Sequence, residues 1–201
     1  AARPEVAETH PLQNAETLQG TLELIHEFDL ILRELSGMDN FVFQAGGGAH
    51  AAYTHCCITR AYYAERGELA ERNEIITSIQ AHPCNPATAA AAGFDVITLP
   101  LEENGYPSTN ALREAVSNRT AALLINNPDD MGIYNPDITD WVDIVHDAGG
   151  LCFYDHANFN GVMGKIRARE LGFDACMYML HKTFGAPKGG GGPAVGAYGC
   201  S

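Results

Sequence analysis

AALLINNPDDMGIYNPDITDWVDIVHDAGGLCFYDH, residues 121–156, holds the alternation that decides the fold. The apolar run at 121–125 predicts a strand, residues 138–148 a helix, and the apolar run at 151–154 a second strand. The same alternation extends outward. Upstream, strands are expected at 74–79 and 95–99, with a short helix after Pro86 and another helix at 109–116; downstream, a strand is expected at 175–179. Strands and helices that alternate over this length predict an α/β chain with a mostly parallel sheet and helices on both faces. Such sheets bind their ligands at the carboxyl ends of the strands. No internal repeat or low-complexity linker marks a second domain.

Nearer the N-terminus, Leu18, Leu22, Ile25, Phe28, Leu32 and Leu35 recur at three- and four-residue steps with charges between them. That period predicts an amphipathic outer-layer helix over 15–36, with Asn14 as its cap, Glu16 in its first turn and Gly37 as its stop. The short apolar stretch Phe41-Val42-Phe43 leads into Gly46-Gly47-Gly48 and a helical run to Arg66, closed by Gly67.

Composition excludes several classes. Twelve Lys+Arg stand against 25 Asp+Glu in 201 residues, a formal charge of -13 at pH 7, which argues against nucleic-acid binding as the main task. With 46% hydrophobic and 18% charged residues the chain is an ordinary folded one, and a chain of this length can hide roughly 70% of its unfolded surface. No apolar run reaches the roughly 20 residues that a membrane span needs, and AARPEVAETH lacks the pattern of a secretory signal. An intracellular, cytoplasmic protein is expected. The six cysteines (Cys56, Cys57, Cys84, Cys152, Cys176, Cys200) form no C-x-x-C pair; reduced, mostly buried thiols and no metal site are expected.

Four segments at strand ends or helix starts could carry chemistry. In QAGGGAHAAYT (44–54), glycines entering a helix let backbone N–H groups approach an anion, although the stretch is neither a P-loop nor G-x-G-x-x-G and could be a plain tight turn. In SIQAHPCNPAT (78–88), His82 follows a strand and could lay its ring on a planar ligand, or simply cap or pack. In CFYDHANFNG (152–161), Asp155 ends a buried apolar strand, where a carboxylate is costly unless it meets a cation or several donors; capping the next turn is the alternative. In LHKTFGAPKGGGGP (180–193), Lys182 emerges after an apolar strand at the same sheet edge as Asp155, where burial would make it a nucleophile toward an aldehyde. The run Gly189 to Gly192 alone reads as a flexible loop.

Together these parts are the kit for pyridoxal phosphate: a lysine for its aldehyde, an aspartate to keep its ring nitrogen protonated, a histidine to stack on the ring, and a glycine turn for its phosphate.

At these same residues the sequence resembles the glycine-cleavage P-protein, glycine dehydrogenase (decarboxylating), most of all subunit 2 of its two-subunit form. LHKTFGAPKGGGGP is the most specific block. QAGGGAH, AHPCNPATAAAAGF, INNPDDMGIY, AGGLCFYDHANFNGVMGKIR and GFDACMYMLHKTF are similar in order and spacing, as is the opening HPLQNAETLQGTLELIHEFDLILRELSGMD. The resemblance implies a fold-type I pyridoxal-phosphate large domain on a mainly parallel seven-stranded sheet, spanning 1–201 with an N-terminal helical segment and without the family's C-terminal small domain. It implies that Lys182 is the Schiff-base lysine, Asp155 the partner of the ring nitrogen and His82 the stacking residue. It further places Gly48, Ala49 and His50 at the phosphate, Asn127 near the ring hydroxyl, Ala157 among the cofactor-binding residues and His181 as a catalytic assistant beside the lysine. The implied reaction decarboxylates glycine and passes its aminomethyl group to the lipoyl arm of H-protein, in a hetero-oligomer with a second P-protein subunit, with neither nucleic acid nor membrane as partner.

The chain departs from the family at four places: Pro83-Cys84 for the usual Gly-Thr, Ala51-Ala52 for Gly-Glu, His156 for the Gly after the aspartate, and Lys188 for a histidine before the glycine run. Two further readings stand beside the enzyme: a diverged homologue that binds cofactor or a partner without turnover, and a different fold-type I lyase or decarboxylase.

Overall fold

The computed structural model describes residues 3–10, 12–188 and 194–201. Among these residues, seven strands form one sheet: β1 (Asn40–Ala45), β2 (Glu74–Ser78), β3 (Asp95–Leu99), β4 (Thr120–Asn126), β5 (Leu151–His156), β6 (Ala175–Met179) and β7 (Gly196–Cys200). Their order across the sheet is β1-β7-β6-β5-β4-β2-β3. Every pairing is parallel except those of β7, which runs antiparallel to both β1 and β6. The helices are α1 (Pro4–Ala7), α2 (Gln19–Ser36), α3 (Gly48–Glu65), α4 (Cys84–Ala91), α5 (Thr109–Ala115) and α6 (Ile138–Asp147).

Side chains on a strand alternate between faces, and here both faces are covered. Leu123 and Ile125 of β4, with Cys152 and Tyr154 of β5, join Leu32 of α2, Leu112 of α5 and Trp141, Val142 and Val145 of α6. Ala122, Leu124 and Phe153 point the other way, onto Ala51, Ala52, Cys56 and Tyr63 of α3 and Ala89 of α4. Strands buried on both faces read as unbroken apolar runs, which is how 121–125, 151–154 and 175–179 announce themselves. Burying one large apolar side chain such as Trp141 stabilises the fold by roughly 1.5–3 kcal/mol. Its indole N–H is satisfied by Thr109 Oγ1 at 2.8 Å.

Where the structure differs from the sequence expectation, the reasons are local. The helix expected over 15–36 is divided: Asn14 Oδ1 accepts from the Glu16 N–H to cap a short 3-10 turn, Ala15–Thr17, and α2 starts after it. Gly37, at φ +78°, then ends α2 in the left-handed region, its N–H donating to the Arg33 carbonyl. The helix expected after Pro86 begins two residues before it, at Cys84. First-turn N–H groups have no acceptor within the helix, so proline is tolerated there. β5 runs on to His156, so Asp155 lies inside the strand.

All six cysteines are free; Cys56, Cys152 and Cys176 are buried, Cys84 and Cys200 half-buried and Cys57 exposed. Among the described residues no helix is long and apolar enough to cross a membrane.

Candidate active site

The carboxyl ends of β4, β5 and β6 meet the N-termini of α3 and α4. Gly47, the residue before α3, has φ +155° and ψ -177°, a backbone conformation that suits glycine and turns the chain sharply from β1 into the helix. Ala51 N–H is the first to bond within the turn, to the Gly47 carbonyl, leaving the N–H groups of Gly48, Ala49 and His50 without acceptors in the helix. Gly48 also packs close to β6: a Cβ there would stand 3.4 Å from Met179 Sδ. An open helix start of this kind attracts an anion.

Asp155 shares a face with Phe153, the face that α3 and α4 cover, and is only 3% exposed. Its Oδ1 accepts the Ala157 N–H at 2.9 Å and its Oδ2 accepts Asn85 Nδ2 at 3.2 Å. Burial pushes this carboxyl above its ordinary range, against the pull of those two donors, His82 and Lys182. Among the described residues no cation reaches ion-pair distance of it.

A cavity of about 260 Å³ joins these parts: Gly48, Ala49, His82, Asp155, Ala157, His181 and Lys182 all line it. A neighbouring cavity of about 490 Å³ shares His82, Asp155, Ala157 and Lys182 and adds Asn126, Asp129, Asp130, Asn158 and Asn160. Lys182 lies three residues past the end of β6, its N–H bonded to the Met179 carbonyl, but it is exposed, so the described residues do not supply the burial expected of it. His181 Nδ1 is buried without a hydrogen-bond partner. Desolvation, then Lys188 and Lys182, lowers its pKa. His82 is exposed; its Nδ1 accepts the Cys84 N–H at 3.1 Å, which fixes the ring at the cavity mouth.

Two expected residues are placed otherwise. Asn127 does not line either cavity: its amide is spent on the backbone of Asn135, accepting the N–H at 2.7 Å and donating to the carbonyl at 3.1 Å. The period of two explains it. Asn126 is paired in register with Asp155 and faces the cavity, whereas Asn127 turns to the opposite side, where its carbonyl accepts from Tyr154 Oη. The His50 side chain is likewise occupied, accepting the Gly46 N–H at 3.1 Å, so only its backbone N–H faces the start of α3. The glycine run 189–192 lies outside the described residues.

Sequence reasoning missed four residues at the site. Asn126 Oδ1 accepts the His82 N–H at 3.0 Å and its Nδ2 donates to Asp130 Oδ1 at 3.0 Å, tying the His82 loop to β4. Asn85 bonds Asp155, and Cys84 and Lys188 line the smaller cavity. Burial, with Asp155 and Asp130 adding to it, lifts the Cys84 thiol to about 12. Only the departures at Cys84 and Lys188 were visible beforehand, as residues unlike the family's.

Residues 13–191 match the family described as aminotransferase class-V. The chain is 47% identical over 199 residues to the probable glycine dehydrogenase (decarboxylating) subunit 2 of Pyrococcus abyssi, covering 99% of this chain and 39% of that protein. It is 44% identical over 196 residues to the protein of the same description from Staphylococcus saprophyticus, covering 98% of this chain and 40% of that one. It is therefore homologous to these proteins over nearly its whole length and spans about two fifths of theirs. Among solved structures it is similar to a NifS-like protein, with TM-score 0.76 and 17% identity over 96% of this chain and 51% of that one. The cysteine desulfurase CsdA of Escherichia coli gives TM-score 0.71 and 22% identity over 96% of this chain and 47% of that one.

Proposed function

Because the chain belongs to the class-V aminotransferase family and has the α/β large-domain fold of fold-type I pyridoxal-phosphate enzymes, we propose that it is the cofactor-binding part of a glycine-decarboxylating P-protein subunit. The observation that carries this reading is the convergence of Asp155, Lys182, His82 and the first turn of α3 on one cavity.

The donor set fits pyridoxal phosphate. A buried carboxylate with no ion-pair partner among the described residues, a lysine within the same cavity and unpartnered N–H groups at a helix start are what its ring nitrogen, aldehyde and phosphate require. When bound, the cofactor supplies an aldehyde that condenses with amines and a protonated ring that accepts the electron pair left as CO2 departs. In this reading Lys182 offers the amine, Asp155 holds the proton at the ring nitrogen, and His82 covers one ring face. Gly48, Ala49 and His50 hold the phosphate through their N–H groups. Ala157 N–H orients Asp155, and His181, its pKa lowered by desolvation and the neighbouring lysines, assists beside Lys182. Asn127, expected near the ring hydroxyl, bonds the backbone of Asn135 through its amide. The substrate is glycine, the acceptor the lipoyl arm of H-protein, and the working assembly includes a second P-protein subunit.

The test is reduction with borohydride after adding pyridoxal phosphate, followed by peptide mapping. The cofactor is expected on Lys182 and absent in Lys182→Ala; a label on Lys165 or Lys188 in its place overturns the assignment. Glycine-dependent CO2 exchange, measured with lipoylated H-protein and the second subunit present, then tests the reaction. The exposure of Lys182 favours a second reading, a homologue that binds cofactor without turnover. It predicts a label on Lys182 with no exchange.

A further inference from the structure

Asn85 has no part in the reading above, yet it is fully buried, with 0% exposure, as the second residue of α4. A buried amide is retained at little cost only where its polar atoms are used. Its Nδ2 lies 3.2 Å from Asp155 Oδ2, and its Oδ1 accepts weakly from Cys84 Sγ at 3.9 Å. An ionised carboxylate only accepts, so the amide must turn its NH2 toward Asp155.

We propose that Asn85 is the positioning residue of this site: its amide clamps Asp155 Oδ2 from α4 while Ala157 N–H clamps Oδ1 from the strand's own exit. Both oxygens are thereby held in one orientation, each with a lone pair left for a ring N–H. This inference rests on the cofactor reading for its purpose but not for its geometry. Among the described residues, the titratable groups nearest Asp155 are His82 from the loop after β2, Cys84 from α4 with Sγ 4.0 Å from Oδ2, and Lys182 from the loop after β6; Asp129 and Asp130 share the larger cavity with it, and His181 and Lys188 the smaller. His82 and Lys182 are exposed, so their charges act through solvent, whereas the Asn85 donor is buried against the carboxylate.

The test needs no activity. In the cofactor-free protein with 13C-labelled aspartate, the Asp155 carboxyl is assigned by its loss in Asp155→Asn and titrated in the parent, Asn85→Ala and Asn85→Leu. Removing a donor to the charged form should raise the Asp155 midpoint by about one pH unit. Asn85→Asp should raise it further, because touching carboxylates share a proton. Asn85→Leu fills the space that Asn85→Ala would empty, so at least one variant keeps the fold, checked by its thermal unfolding. An unmoved Asp155 midpoint in the folded variant overturns the proposal. Loading with 15N-labelled pyridoxal phosphate gives the second readout: the pH at which the ring nitrogen loses its proton is expected to shift in Asn85→Leu relative to the parent, and an identical profile also overturns it. If the Asp155 midpoint moves but the cofactor does not bind, the cofactor reading fails and the positioning role stands. If the cofactor is reduced onto Lys182 and the midpoint is unmoved, the positioning role alone fails.

Discussion

Asp155 and Asp174 sit at opposite ends of the neighbouring strands β5 and β6, and the chain around them treats them differently. Asp174, just before β6, gives a single oxygen to two internal donors: Oδ2 accepts His146 Nε2 at 2.9 Å and the Cys152 N–H at 2.7 Å. It ties α6 to the start of β5. Asp155, near the end of β5, divides its oxygens between Ala157 N–H and Asn85, and both cavities reach it. Asp174, its side chain 31% exposed, holds elements together through one oxygen and leaves the other to solvent; Asp155 is buried and oriented through both, at the wall of two cavities. A protein that only needed stability would gain little from the second arrangement, since burying a charge without a full set of partners costs free energy.

Exchanging the two residues' chemistry separates the roles. Asp155→Asn should weaken pyridoxal phosphate binding by about 10- to 100-fold, the worth of one hydrogen bond to a charged group, while unfolding free energy stays within about 1 kcal/mol of the parent. Absorbance titration and urea unfolding measure the two, and undiminished affinity would break the comparison. Asp174→Ala should do the reverse: about 1–2 kcal/mol of stability is lost as the Cys152 N–H and His146 lose their acceptor, with cofactor affinity unchanged.

The smallest effect, in pH dependence, sharpens the contrast through two histidines. His146 has its pKa raised by the hydrogen bond to Asp174, so its contribution is complete below the unfolded value of 6.5 and is lost as pH rises through the folded value. His156, stacked on Tyr154 with centroids 3.6 Å apart, is held down to about 3 by burial. Its contribution is present above 6.5 and is lost as pH falls toward 3. Stability measured against pH should therefore lose its alkaline slope in His146→Gln and part of its acid slope in His156→Phe. Slopes that do not respond would remove the histidines from the account.

The two ends were unequally legible in the sequence. Central strands and the position of Lys182 and Asp155 at one sheet edge follow from apolar runs and their terminations, which are local properties. β7 was invisible because GAYGC has little of the β-branched character of a strand. Its glycines are demanded by neighbours that only the folded sheet supplies: a Cβ on Gly199 would collide with the Phe41 ring, and one on Gly196 would stand 2.8 Å from Met179 Cε. Asn127 came from the resemblance, whereas the place of Asn126 at the cavity depends on its register with Asp155, which the sequence does not display. Asn85 gave no signal in the sequence, since its partner is 70 positions away in the chain.

The reversed strand also sets a timetable. β1 and β6 are joined only through β7, whose residues are synthesised after those of every other strand of the sheet. Until 196–200 have left the ribosome, the Gly46–Gly48 turn and the exit of β6 toward Lys182 share the packing of α3 but no strand pairing. The Ala194 N–H, which bonds the Gly46 carbonyl, arrives in the same late stretch. Such distant pairings close slowly, so the strands on the two sides of the cavity come into register only once β7 has paired with both.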